Sequence, residues 1–305
     1  MIVSSQFVKL LEKNLTEVTE RTFKELPSMI PSLYNVVSSD SAWEEYLSVG
    51  AYPDIPEFNG KISYQSIHPG YSTRIEPKEY AAGVQFERKL LDDKKYRVMD
   101  DRVGALAEAS HRTREKMGVR AFAYAFSSAF DYVKSEEGVA LCSTAHTTKS
   151  GTSTTSGFSN SGTSALSKSS VAATRLLMRQ FRNDISERID IGENLALIVP
   201  DNLVDTALEI VGTQKSLDTA EGNINPQFGR YKVIPYLRLD DYDTNNWFMV
   251  DLSRMKKDLL WINRIQPETA VMDSEFETYA LKAKIYFRCA YGHRDWRWIY
   301  GHQVS

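Results

Sequence analysis

Apolar residues change their spacing along the chain, and each spacing predicts a different element. In residues 4–25 they recur at helical spacing among charged residues, with Phe7 and Leu11 on the apolar stripe, which predicts an amphipathic helical arm. Such a helix needs a surface on which to bury its apolar side, and we expect a partner to provide it. Pro27 and Pro31 interrupt the helical pattern, so the chain is expected to continue as an extended segment.

Strand-forming residues flank a turn signal in residues 57–90, which predicts a long β-hairpin that turns at His68-Pro69-Gly70. Its apolar residues are Ile62, Tyr64 and Ile67 on the first limb and Tyr71, Ile75 and Tyr80 on the second. Neither limb carries a wide apolar face, and an isolated two-stranded ribbon is marginally stable in water. We therefore expect a surface outside this chain to cover the ribbon.

Two helices are predicted in the middle of the chain. Residues 92–132 contain no proline and are rich in Ala, Arg, Glu, Leu and Met, which predicts a spine helix on the order of 50 Å long. A second helix is expected over residues 167–183, with Ser167 or Ser169 as its N-cap. Its inward-facing residues are expected to be Val171, Leu177 and Phe181. The Ser-, Thr- and Gly-rich residues 142–170 are interpreted as a mobile connector.

The remainder of the chain alternates strand and helix patterns. Residues 194–258 predict a compact α+β unit, with strands at NLALIVP, YKVIPYLRL and NWFMVDLS. Long strands follow, in which an apolar set alternates with Lys, Tyr and Arg and therefore faces the core. That set is Leu281, Ala283, Ile285, Phe287 and Cys289. The spacing of Trp296, Trp298 and Tyr300 predicts a closing antiparallel strand.

The composition is that of a folded protein, with 42% hydrophobic and 25% charged residues among 305. This length favours two domains. The formal net charge of -3 gives no general attraction to nucleic acid or to an anionic membrane. Signal-peptide features and runs of ~20 apolar residues are missing from the sequence, and Cys142 and Cys289 are too few for a disulfide framework. We expect a soluble protein with two reduced thiols.

A thiol nucleophile is the main catalytic alternative, with Cys142 as nucleophile and His146 as its base. The loop that carries them shows no orienting third group and no oxyanion donor. A buried thiol near a polar histidine is therefore the favoured interpretation.

Other motifs give no cofactor site. Asp241, Asp243 and Asn245 match the first three positions of a calcium loop, but Asn246 stands at the required glycine and Leu252 at the closing glutamate, so a hairpin turn is favoured. No phosphate-binding glycine motif and no metal-ligand spacing of histidines occurs in the sequence. We expect neither cofactor nor metal.

An aromatic and basic cluster near the C-terminus fits either nucleic-acid stacking or one face of a strand. The cluster comprises Arg288, His293, Arg294, Trp296, Arg297 and Trp298.

The order of these elements resembles the major capsid protein of tailed double-stranded DNA phages, specifically the Mu-type head subunit family. Local sequences carry the resemblance from about residue 138 to the C-terminus: VALCSTAHT, LSKSSVAAT, NLALIVPDNLVDTALEIV, WFMVD and RDWRWIYG. The arm, hairpin and spine helix precede them in the order that this family shows. None of these sequences is a catalytic signature.

The resemblance implies an α+β fold in five stretches. They are an N-terminal arm (1–50), an extended loop hairpin (51–91), a peripheral domain with the spine helix, the Ser/Thr/Gly loop and the second helix (92–193), an axial domain (194–258) and the C-terminal strands of the peripheral domain (259–305). The hairpin would lie over a neighbouring subunit. The residues expected to contact a neighbour are Phe7, Leu11, Ile62, Tyr64, Ile67, Tyr71 and Ile75.

The implied function is structural, in the virion and without enzymatic activity: hexamers and pentamers close an icosahedral shell around DNA. The implied partners are other copies of the chain, portal, scaffold or protease and decoration proteins, and DNA held by weak non-specific contact, with no membrane. Because only the arm precedes the hairpin, we expect a separate scaffold or none, and no inter-subunit crosslink. Two alternatives stay open, an encapsulin-like nanocompartment shell with the same fold and a cysteine hydrolase using Cys142 and His146.

Overall fold

The computed structural model describes residues 4–62, 64, 66–129, 133–191, 194–212, 225–272 and 281–304. Its α-helices are α1 (Ser4–Glu25), α2 (Ile30–Leu33), α3 (Arg88–Asp92), α4 (Tyr96–Ala123), α5 (Lys168–Met178), α6 (Val204–Gly212) and α7 (Leu252–Asp258). Its strands are β1 (Asn35–Ser38), β2 (Glu44–Val49), β3 (Pro69–Ile75), β4 (Lys78–Phe86), β5 (Val133–Ser135), β6 (Ser161–Gly162), β7 (Leu195–Val199), β8 (Lys232–Pro235), β9 (Trp247–Asp251), β10 (Leu259–Met272), β11 (Leu281–His293) and β12 (Ile299–His302). Short 3-10 helices cover Asp201–Leu203 and Leu237–Leu239.

Within the described residues, the strands form three sheets. Their orders are β1-β10-β11-β4, β6-β12-β9-β7-β8 and β2-β3-β5. The antiparallel pair β10 and β11 runs from Leu259 opposite His293 to Met272 opposite Lys282. Helices and mixed sheets thus share one chain, and the predicted α+β class is confirmed.

The spine helix is confirmed as α4, but it is shorter than predicted. Its 28 residues correspond to about 42 Å. Lys94 adopts a positive φ of 53°, which ends α3 and separates it from α4. At the other end Phe122 is fully buried and meets the rings of Tyr236, Phe248 and Trp298 edge to face. The helix therefore connects the core of the α+β unit with the long strands.

Helix α5 begins as predicted and ends earlier. The Ser167 side chain caps it by accepting the Ser170 N–H, in a reciprocal capping box. Val171 and Phe181 are fully buried as predicted. Leu177 is 41% exposed, so its predicted inward orientation is wrong. The buried stripe consists of Ser170, Val171, Thr174 and Met178, and helical geometry places residue 177 at the edge of that stripe, where its side chain stays partly exposed.

The predicted hairpin turn at His68-Pro69-Gly70 is wrong. Strand β3 begins at Pro69 and pairs antiparallel with β2, with Glu44 opposite Ile75, while β4 pairs with β11 instead. Proline is tolerated at the first position of a strand, so Pro69 starts this strand. The two limbs of the ribbon are β2 and β3, and residues 50–68 connect them. The Gly50 N–H donates to the His68 carbonyl at 3.0 Å where the limbs meet.

The α+β unit is built on fully buried strands, because every residue of β7 and β9 is buried. The predicted alternation in β11 is confirmed by Ala283, Ile285, Phe287 and Cys289, all at most 3% exposed; the side chain of Leu281 lies outside the described residues. The closing strand β12 pairs antiparallel with β9, Ile299 lying opposite Val250. Strand β12 thus completes the five-stranded sheet rather than extending β10 and β11.

The C-terminal part of the arm packs on its own chain. Val18 is 8% exposed and Thr19 4%, and the Thr269 hydroxyl donates to the Thr19 hydroxyl at 3.1 Å. The expectation that the arm needs a partner surface is therefore wrong for this part, because α4 and β10 provide one. The side chains of Phe7 and Leu11 lie outside the described residues.

Candidate inter-subunit surface

The segment between β2 and β3, residues 50–68, exposes a series of large apolar side chains, and we name it the extended loop. Tyr64 is 92% exposed and Ile55 87%. The other exposed members are Tyr52, Phe58, Ile62 and Ile67. Clustered apolar surface of this kind on a folded chain is typical of an interaction site.

Proline and glycine keep the extended loop from pairing with itself. Pro53 and Pro56 have no N–H to donate to a ladder. Gly60 has a φ of 86°, and a Cβ placed there would meet nothing within 4 Å. The loop therefore turns in open space and leaves its apolar side chains exposed.

The predicted contact residues of the ribbon differ in their exposure. Ile62, Tyr64 and Ile67 lie exposed on the extended loop. Tyr71 is partly buried in β3, where its hydroxyl lies 2.8 Å from the Thr147 hydroxyl. Ile75 is fully buried in the chain's own core, so it has no surface for a neighbour.

Sequence reasoning missed three strongly exposed residues of this ribbon: Leu47, at 74%, on β2, and Ile55 and Phe58 on the loop. Leu47 and Ile55 were overlooked because the residue pattern of the hairpin was taken to begin at residue 57 and to turn at residues 68–70. Phe58 lies within that segment but was not among its predicted apolar residues. The sequence did contain a signal that these residues are exposed. Its apolar residues here are interrupted by Pro53 and Pro56, a pattern that does not fit a buried strand.

Polar contacts hold the base of the ribbon against the Ser/Thr/Gly stretch. The Glu136 carboxylate pairs with the Lys149 ammonium at 2.5 Å and accepts the Ser72 N–H at 2.9 Å. These partners, Lys149 first, lower the pKa of Glu136. On β2's side, the Arg74 guanidinium lies 4.2 Å from the ring centre of Trp43. Contacts on both sides of the ribbon thus set its orientation.

The stretch interpreted as a mobile connector is instead anchored in the core. Asn160 is fully buried; its amide donates to the Leu141 carbonyl at 2.8 Å and the Ile299 carbonyl at 3.2 Å, and its oxygen accepts the Ser143 N–H at 2.8 Å. Phe158 is 2% exposed. Asn160 and Phe158 therefore fix the part of the stretch around them against the core.

Cys142 and His146 lie in surroundings that disfavour a thiol–imidazole pair. The His146 ring is 2% exposed and stacks on Trp296 with ring centres 4.1 Å apart. Its Nδ1 lies 3.0 Å from Glu137 Oε1 and its Nε2 3.0 Å from Asn160 Oδ1, so both nitrogens already have partners. Burial raises the pKa of the Cys142 thiol far above its ordinary value, which disfavours the thiolate that a nucleophile needs.

The acid-rich segment forms a turn. Asp243 Oδ1 accepts the N–H of Asn245 at 2.8 Å and that of Asn246 at 3.1 Å, an arrangement typical of aspartate in turns. It is not the turn of a hairpin, because β7 lies between β8 and β9. In the part of the chain that the structure describes, no three His, Cys, Asp or Glu residues are grouped to hold a metal ion.

The aromatic and basic cluster belongs largely to the core. Trp296 is 5% exposed and Trp298 is fully buried. The Arg297 guanidinium pairs with Asp184 at 2.9 Å and Asp295 at 3.0 Å. These side chains are engaged within the chain, which favours the strand interpretation over nucleic-acid stacking.

A family model described as phage capsid protein matches residues 70–301, well over half of the chain. The chain belongs to the phage capsid protein family. As a phage capsid protein it is a structural component of the virion shell, and its spine helix and mixed sheets are those of the tailed-phage major capsid protein fold. The extended loop lies just before the matched residues.

Solved capsid structures share this fold. The phage capsid protein is similar to a chain in the procapsid of bacteriophage JBD30, with a TM-score of 0.52 and 13% identity over 99% of this chain and 77% of that one. The mature capsid of bacteriophage PhiM1 gives a TM-score of 0.57 and 10% identity over 92% and 88%. A virus-like particle from Pyrococcus furiosus gives 0.51 and 10% over 95% and 98%. These similarities concern the fold.

No curated protein matches the sequence of this phage capsid protein. Among its described helices, none has the length and apolar character required to cross a bilayer.

Proposed function

We propose that this chain is the major head subunit of a tailed phage, forming hexamers and pentamers that close an icosahedral shell around double-stranded DNA. The extended loop carries the proposal, because its apolar side chains reach 92% exposure at Tyr64. A neighbouring copy that covers one such side chain gains about 1.5–3 kcal/mol. Closed symmetry repeats that gain at every subunit, so modest contacts sum to a durable shell.

Within the family we assign the chain to the Mu-type head subunits, on the local sequences VALCSTAHT and RDWRWIYG. The division into parts follows the same assignment. It gives an arm (1–50), an extended loop hairpin (51–91), a peripheral domain (92–193 and 259–305) and an axial domain (194–258). The pairing of β12 with β9 ties the last residues of the peripheral domain to the axial sheet.

The proposed partners are other copies of the chain, a portal, a scaffold or protease and decoration proteins. Contact with DNA is proposed to be weak and non-specific. The net charge of -3 supports this, since binding by phosphate neutralisation requires an excess of Lys and Arg. We propose no enzymatic activity, because the nitrogens of His146 are engaged and the thiol of Cys142 is buried.

The extended loop can be tested by substitution. Deletion of residues 60–72 would remove part of β3, so we choose the double variant Ile55→Ser/Tyr64→Ser, whose side chains are largely exposed. We expect this variant to fold and to sediment as unassembled subunits. The matched control is Val98→Ser/Leu208→Ser, at sites that are 39% and 50% exposed on helices, and we expect it to form shells. Normal shells from the loop variant would contradict the proposal.

A further inference from the structure

The extended loop contains the only Asn-Gly pair in the sequence, Asn59-Gly60. Both residues are exposed. Gly60 has a φ of 86°, and a Cβ placed there would meet nothing within 4 Å. Every other asparagine of the chain precedes a residue that carries a side chain. Asn59 is therefore the one asparagine whose side chain can approach the next backbone nitrogen without meeting a Cβ.

In the part of the chain that the structure describes, the Asn59 amide has no hydrogen-bond partner, and the Gly60 N–H donates to no backbone carbonyl. Asn245 provides a direct contrast, because it is also exposed. The N–H that follows it, that of Asn246, donates to Asp243 Oδ1 at 3.1 Å, and Asn246 is 8% exposed. The nitrogen after Asn245 is thus held in a turn, whereas the nitrogen after Asn59 is accessible.

This arrangement permits a cyclisation that needs no enzyme, since asparagine is a thermolabile residue. The Gly60 nitrogen, after losing its proton to base, attacks Cγ of Asn59; the N–Cγ bond forms, the Cγ–Nδ2 bond breaks, and ammonia leaves. Water then opens the cyclic imide at either of its carbonyl carbons. One opening gives aspartate, and the other gives isoaspartate, whose backbone runs through Cγ and is longer by a methylene group. Overall, an amide and water become a carboxylate and ammonium, with no oxidation or reduction.

The conversion places a new carboxylate among the apolar side chains of the extended loop. Phe58, directly before Asn59, is 71% exposed, and Ile62, three residues after it, is 66% exposed. The loop already carries Asp54 and Glu57. Burying a carboxylate without a partner costs far more free energy than burying an amide. A converted loop is therefore harder for another molecule to cover than the original one.

We propose that Asn59 is a modification site, which converts without an enzyme to isoaspartate and aspartate in the free subunit and is protected when a neighbouring copy covers the extended loop. The conversion follows from the exposed Asn59-Gly60 pair alone. The protection rests on the proposed function, because it requires a neighbour on the loop. Subunits that stay unassembled thus lose their ability to assemble with time, whereas assembled subunits keep the original asparagine.

Timed incubation tests the site. Sedimentation separates the purified wild-type chain into single subunits and shells, and both fractions are kept at pH 6 and at pH 8. Peptide mass spectrometry and methylation by an isoaspartate methyltransferase measure the conversion of Asn59. In single subunits we expect conversion that is faster at pH 8, because the Gly60 nitrogen reacts after deprotonation, and no conversion at Asn245. The variant Ile55→Ser/Tyr64→Ser supplies single subunits if the wild type yields only shells.

The matched control is Asn59→Gln, at the same exposed position. It keeps the amide group, but its longer side chain would have to close a larger and less favoured ring with the Gly60 nitrogen. We expect this variant to show no conversion and to assemble equally well before and after incubation. Incubated wild-type subunits should lose their yield of shells in proportion to the converted fraction. Thermal unfolding of each sample establishes that the subunit is folded.

The outcomes separate the site from the proposed function. Wild-type single subunits without isoaspartate at Asn59 overturn the site, as does equal conversion at Asn245. Equal conversion rates in shells and in single subunits overturn the protection, and converted subunits that assemble as well as fresh ones overturn the loss of assembly. Conversion in single subunits of a chain that never forms shells supports the site and contradicts the proposed function.

Discussion

Asn160 is the side chain that ties the Ser/Thr/Gly stretch to the core, and its replacement by alanine should destabilise the subunit strongly. The amide group makes four contacts: with the carbonyls of Leu141 and Ile299, the N–H of Ser143 and the ring of His146. Asn160 is fully buried, so water does not replace these partners. At roughly 1 kcal/mol for each hydrogen bond, the loss is about 4 kcal/mol.

The expected change in melting temperature follows from the size of the chain. An unfolding entropy of about 2.1 cal/mol/K per residue gives about 0.6 kcal/mol/K for this length, so Asn160→Ala should lower Tm by about 6 °C. Differential scanning calorimetry of unassembled subunits measures that shift. The control is Asn245→Ala, at an exposed turn position, for which we expect less than about 1 °C. An Asn160→Ala subunit that melts within about 1 °C of the wild type would refute the reasoning.

Three further predictions concern buried groups. Gly301→Ala should lower Tm by several degrees in the same calorimetric measurement, because a Cβ there would lie 2.8 Å from the Cys142 sulfur, whereas Gly212→Ala, with nothing within 4 Å, should not. Iodoacetamide at pH 8 should label neither thiol of the native subunit and both after unfolding, since burial raises the pKa of Cys142 and raises that of Cys289 to about 12; rapid native labelling would contradict this. Burial lowers the pKa of His302 to about 4, so the unfolded state binds more protons between pH 4 and 6.5 and stability should fall as pH falls through that window. The Tm of His302→Gln should depend less on pH there, and an unchanged dependence would count against the assignment.

The sequence predicted best where one local pattern decides the structure. Alternation in β11 is a property of neighbouring residues, and the burial of Ala283, Ile285 and Phe287 follows from it. The cap at Ser167 is equally local, because the side chain accepts an N–H three residues away. Hydrophobic runs likewise predicted the buried strands β7 and β9.

The same local patterns did not predict which elements distant in sequence pack or pair with each other. Strand β3 pairs with β2 across the extended loop, and the sequence offered a nearer turn signal at Pro69. Arm helix α1 shows an apolar stripe, but the stripe does not specify whether α4 of the same chain or a neighbour covers it. Asn160 was missed for a related reason, since its partners Leu141 and Ile299 are distant in sequence and a single asparagine in a Ser/Thr/Gly stretch has no pattern of its own.

The central claim is that copies of this chain cover one another's exposed apolar surface and thereby build a shell. Negative-stain electron microscopy of the purified wild-type protein tests it most directly. We predict closed particles of uniform diameter. A field of dispersed single subunits that persists at high protein concentration would contradict the account.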